Sequence, residues 1–166
     1  MKDLTGAEFA ASLRLERDAV KTFVEILQKE QNALIQGGGE DLDFLASNKA
    51  QMVKQLADFG ELRNRYLESR GLARDSKGMD AWLAENSASK TSAERSGTSS
   101  TVWSDLLRLA RIAQQLNQTN GAIIETRLQN YQRAFAALQG AAGITALYGP
   151  KGQIFGMGSA RAPARV

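Results

Sequence analysis

Leu13, Val20, Leu27 and Leu34 recur every seven residues, and beyond the triplet Gly37-Gly38-Gly39 a second row, Leu45, Met52, Phe59 and Tyr66, keeps the same period. No other feature of the chain narrows its fold so far. Apolar rows of that length call for two helices that pack along their whole extent. Three consecutive glycines between them stop the first helix, because they remove side-chain support and permit positive φ. Phe9 and Phe23 lie four before and three after members of the first row and share its face. Leu42, Lys49, Leu56 and Arg63 form a companion row in the second helix. The spacing predicts helices over about 5–36, with Thr5 as N-cap and Glu8 three residues on, and over about 41–70, with Gly71 just past the end. Gly60 weakens the second helix by about 1 kcal/mol relative to Ala without breaking it.

A turn this short makes the two helices antiparallel. A reversal near residue 39 sets Glu30 opposite Lys49 and Glu16 opposite Arg63. All four interrupt apolar rows, so the sequence predicts two cross-helix ion pairs flanking the seam. The alternative is that each long side chain snorkels to water.

Past Gly71 the pattern breaks. Met79, Trp82 and Leu83 suit one apolar turn of a short helix. Residues 86–101, rich in Ser and Thr, read as a low-complexity linker with too little apolar surface to order itself. A third long helix is expected over about 101–138. Its stripe is Trp103, Leu106, Leu109, Ala113, Leu116, Asn120, Ile123, Tyr131 and Leu138, flanked by Leu107, Ile124, Leu128 and Phe135. Asn117 and Asn120 fall in the middle of it, where polar residues fix register and partner at a cost in stability. The expected fold is all-α: an antiparallel bundle of three long helices (a coiled-coil-like hairpin plus the third helix), a short middle helix and a flexible C-terminal tail. Each long helix should span about 45–55 Å. Residues 1–140 make the bundle, and 141–166 a Gly-rich basic tail, loose or ordered by a partner.

The chain has no cysteine and no histidine. Disulfides, thiolate chemistry, a Ser-His-Asp triad and a zinc site are thereby excluded, together with the commonest general base. The carboxylates interleave with Lys and Arg along the helices, the pattern of a solvated face. The expectation is a binding protein, not an enzyme, with no cofactor. The first residues carry Asp3, Glu8 and Arg14 and lack the apolar core of a secretory signal. No run of about 18 apolar residues is present to span a membrane, so a cytoplasmic protein without membrane insertion is expected.

Net charge is +3, but the last acidic residue is Glu125, and Arg127, Arg133, Lys151, Arg161 and Arg165 follow it. The basic balance therefore belongs to the C-terminus. Five charges over that length are sparse for recognition of nucleic acid or lipid, which clusters basic residues. Gly149-Pro150-Lys151-Gly152 lacks the spacing and preceding strand of a P-loop and the sheet of a KH fold, so no nucleic acid partner is expected. From Gly140 onward the chain nevertheless holds Ile144, Leu147, Tyr148, Ile154, Phe155 and Met157 among six glycines and both prolines. Apolar side chains on such a backbone point to a segment that orders on a partner; the other reading is that it folds back on its own bundle.

Several pieces, in their order and spacing, resemble the FlgN family of flagellar export chaperones: Glu30-Gln31-Asn32-Ala33-Leu34, Leu45 with Asn48-Lys49, Trp103, Asn117-x-x-Asn120-Gly121-x-Ile123-Ile124, and Leu147-Tyr148-Gly149-Pro150-x-Gly152-Gln153. The plan of helical hairpin, irregular middle, long third helix and tail agrees. The resemblance implies a cytosolic chaperone for the hook-filament junction proteins FlgK and FlgL, holding their C-terminal helical segments and delivering them to the export-gate protein FlhA. It implies that the C-terminal region carries client binding and that Tyr148 matches a tail tyrosine implicated in gate contact. The Ser/Thr-rich insertion and the Ala/Arg ending depart from the family pattern. Ile123, Leu128, Tyr131, Phe135, Leu138, Ile144, Leu147 and Tyr148 are the expected client surface; each helical member fits burial in the bundle equally well. The competing reading is a structural or regulatory bundle that homodimerises through the same helices.

Overall fold

The computed structural model describes residues 4–87 and 98–141. The first helix, α1, is Gly6–Gln36. Thr5 starts it from an extended backbone: its hydroxyl accepts from the Glu8 N–H at 3.3 Å, and the Glu8 carboxylate accepts from the Thr5 N–H at 2.8 Å. This reciprocal pair satisfies two donors that a helix start otherwise leaves open. Glu8 is held below its ordinary pKa by those bonds from Thr5. Gly37 ends the helix in the left-handed region, φ 80, while its own N–H and that of Gly38 both reach the Ala33 carbonyl.

The second helix, α2, is Gly39–Ser69 and begins inside the glycine triplet, two residues before the expected start. Its last turn closes through Arg70 and Gly71. The Gly71 N–H bonds to Glu68 and the Leu72 N–H to Leu67, both at 2.9 Å, with Gly71 at φ 71. That paired closure needs a left-handed residue, which is why glycine follows the helix.

The short middle helix expected around Met79, Trp82 and Leu83 is α3, 12 residues, Ser76–Ser87. Asp75 caps it, its carboxylate accepting from the Gly78 N–H at 3.1 Å. Gly78 is required: a Cβ there would lie 1.8 Å from the Ala73 carbonyl oxygen. The fourth helix, α4, is Ser99–Ala141 and extends past both expected ends. The ends of the expected 86–101 linker are therefore helical; residues 88–97 and 142–166, with the tail's apolar residues, lie outside the described residues. At ~1.5 Å per residue α4 spans about 65 Å, against about 46 Å for α1 and α2.

The all-α expectation holds, and α1, α2 and α4 pack against one another. All four leucine and valine positions of the α1 row are buried. In α2 only the ends of the row, Leu45 and Tyr66, are buried, with Met52 and Phe59 half-buried. α3 supplies what the sequence pattern did not promise. Met79 and Trp82 are fully buried, and Trp82 closes an aromatic cluster with Phe9 and Tyr66. Phe9 stacks on Tyr66 at 3.8 Å between ring centroids and meets Trp82 edge-on at 4.7 Å. The Trp82 indole N–H donates to the Tyr66 hydroxyl at 3.3 Å, so the buried polar tips satisfy each other. By its contacts the chain divides into two units, Met1–Ile123 and Ile124–Val166, and α4 contributes to both.

Candidate functional site

Along the first unit α4 buries Val102, Trp103, Leu106, Leu109, Ala113 and Asn120. Two polar layers set it there. In one, Glu30 of α1 pairs with Lys49 of α2 at 3.1 Å, and Asn120 of α4 donates to the same carboxylate at 2.8 Å and to the Leu27 carbonyl at 2.9 Å. Three helices thus meet at one carboxylate. Asn120 is wholly buried, and its Oδ1 has no partner among the described residues, an arrangement that costs about 1–3 kcal/mol and is tolerated where it specifies register. In the other layer Glu16 pairs with Arg63, whose guanidinium lies 5.3 Å from the centre of the Trp103 ring. Burial pushes the Glu16 carboxyl above its ordinary pKa, against the opposing pull of Arg63. Both expected ion pairs therefore form. Asn120 and Trp103 tie each to α4, which neither heptad row could reveal. Asn117, expected beside Asn120 in the seam, is exposed.

The second unit carries the candidate site. Ile124, Leu128, Tyr131, Phe135 and Leu138 follow one another by four, three, four and three residues, which places them on one helical face. They are between 46% and 70% exposed. Tyr131, Ala134, Phe135 and Leu138, with Gln132, line a shallow, almost wholly apolar depression. Other exposed large apolar side chains, Leu15 and Ile35 on α1 and Phe44 and Val53 on α2, do not follow helical spacing and form no stripe. Scattered exposed apolar residues are ordinary, whereas a contiguous run marks a surface meant to be covered. Beside it on the helix, Glu125 accepts from Gln129, and Arg127 is half-buried. Such a face can bury the apolar side of another amphipathic helix; it offers no converging polar groups for chemistry.

Of the helical residues expected to bind a client, Leu128, Tyr131, Phe135 and Leu138 fall together on this face. Ile123 is half-buried and lies off it. Ile124 takes its place, a residue the sequence reading left at the margin although the four-three spacing from Leu128 onward includes it. Ile144, Leu147 and Tyr148 lie outside the described residues. Among the described residues no helix is long and apolar enough to cross a membrane.

A sequence model of the FlgN protein family matches residues 1–154. No curated protein and no solved structure matches the chain.

Proposed function

The chain belongs to the FlgN family, whose general role is that of a flagellar export chaperone, and from that premise we propose that it holds the C-terminal helical segments of FlgK- and FlgL-type junction proteins in the cytosol and passes them to the export-gate protein FlhA. The observation that carries this reading is the stripe Ile124, Leu128, Tyr131, Phe135 and Leu138, a helix face of five large apolar side chains left exposed.

Junction-protein termini of the kind the family serves are amphipathic and associate through their apolar faces when free. The stripe offers such a terminus an apolar row at matching helical spacing, so that client and α4 shield each other from water. Ile144, Leu147 and Tyr148 complete the capture from the tail. Ordering the tail together with the client consumes part of the interaction free energy, which holds affinity to about the micromolar-to-nanomolar range and allows release. Tyr148, matched to the family's gate tyrosine by motif, then offers an aromatic contact to FlhA.

Capture of a FlgK C-terminal peptide by the full chain, by Leu128→Asp with Phe135→Asp, and by a chain ending at Gln139 tests the reading. Both alterations should abolish or strongly weaken capture. Full capture by the stripe variant would overturn the assignment and favour the alternative, a dimerising bundle that uses the same face.

A further inference from the structure

We propose that, without a client, the chain's own residues 144–155 fold back along α4 and cover the stripe from Leu138 to Ile124, so that client and tail compete for one face. The proposal concerns the second unit alone and rests on the client reading of that face for its regulatory meaning, though not for the covering itself.

Three observations converge on this occupant. The first is the uncovered face: large apolar side chains spaced for burial along a helix, all exposed. The second is the length of chain that follows the helix. The described part of α4 ends at Ala141, three residues after Leu138, and 25 further residues follow. Gly140 and Gly143 bracket the place where a reversal would be made, and glycine accepts the backbone angles of a tight turn at no steric cost.

The third observation is reach and pattern. From Leu138 back to Ile124 the stripe extends about 21 Å at helical rise. Ile144, Leu147 and Tyr148 have helical spacing and would face Leu138 and Phe135. Pro150 prevents that turn from continuing, and an extended 149–155 adds about 20 Å. Ile154 and Phe155 point to opposite sides of an extended segment, so one of the two would then arrive at Ile124. The apolar residues of the tail thus fall at both ends of a stretch that matches the stripe in length. A tethered segment also acts at an effective concentration of about millimolar, an advantage that a second copy of the chain lacks.

Coverage would keep the face from self-association until a client arrives. When a client takes the face, the tail would leave α4 and close over the client instead. Backbone amide hydrogen exchange of the intact protein tests this without any client. The full chain and Leu147→Asp with Ile154→Asp are compared over residues 124–138 across a wide dilution series. The substitutions should speed exchange there about tenfold, leave α1 unchanged, and give rates independent of protein concentration. Equal rates in the two proteins would overturn the covering. Protection in the full chain that disappears on dilution would also overturn it, and would assign the face to a second copy. Titrating Leu128→Asp with the FlgK peptide separates the two claims, because undiminished binding there refutes the client surface whatever the exchange rates show.

Discussion

The two halves of α4 carry one apolar period to different ends. From Val102 to Asn120 the stripe is buried, lined with leucines and crossed by the polar layers at Trp103 and Asn120. From Ile124 to Leu138 the spacing continues, the side chains become larger and more aromatic, and all of them are exposed. A purely structural helix would lose its apolar side chains where its cover stops. Retaining Tyr131 and Phe135 there is costly for solubility, and the cost is explained if the second half binds rather than supports.

The sharpest way to break this contrast is a matched pair of truncations. Leu106→Ala in the buried half should lower unfolding free energy by about 2–5 kcal/mol. Leu128→Ala in the exposed half should change it by less than about 0.5 kcal/mol, with loss of peptide capture instead. Denaturant midpoints for the two variants decide it; equal losses would mean that Leu128 is structural.

The next effect concerns the seam asparagines. Asn120→Ala removes the donor shared by the Leu27 carbonyl and Glu30 and should cost about 1–3 kcal/mol. Asn117→Ala, at an exposed position, should be nearly silent. Thermal unfolding of the two proteins side by side would show whether register is held at one asparagine or two.

Gly121 lies next to the junction of the halves, and a Cβ there would meet nothing within 4 Å. Gly121→Ala should therefore stabilise α4 by about 0.5–1 kcal/mol through helix propensity. If client capture falls despite this gain, the junction must bend to bind.

The smallest effect is a pH dependence in the buried half. Burial raises the Glu16 carboxyl above 4.5, its ordinary value. Between that value and the raised one the folded protein holds the proton more tightly than the unfolded chain. The Glu16 contribution is thus fully present below 4.5 and is lost as pH rises through the raised value. The stability of the parent relative to Glu16→Gln should accordingly fall with rising pH in that window, as chemical denaturation at several pH values would show. An opposite slope would mean that Arg63 outweighs burial.

Much of the scaffold was legible in the residues because it depends on local rules. Thr5 and Glu8 form a capping box by spacing alone, and the glycine triplet and Gly71 end helices because left-handed backbone favours glycine. The Glu30–Lys49 and Glu16–Arg63 pairs followed from the period and one reversal point. α3 was less legible. Met79, Trp82 and Leu83 fill too short a stretch to announce a core, and their burial depends on Phe9 and Tyr66, which are distant in sequence. Within the expected client surface, Ile123 is half-buried, and the exposed face continues through Ile124. One residue turns a helix by about 100°, enough to leave a face.

By itself the sequence determined the three long helices, both ends of α1, the antiparallel hairpin and the loss of histidine and cysteine chemistry, because period, capping and composition act within a few residues. Only the tertiary structure decided that α3 completes the core, that Asn120 and not Asn117 meets Glu30, and that the stripe of α4 is covered along one half and open along the other. Amphipathic spacing says that a face is built to be buried. What buries it depends on which neighbours reach it, and those neighbours are set by packing between distant parts of the chain.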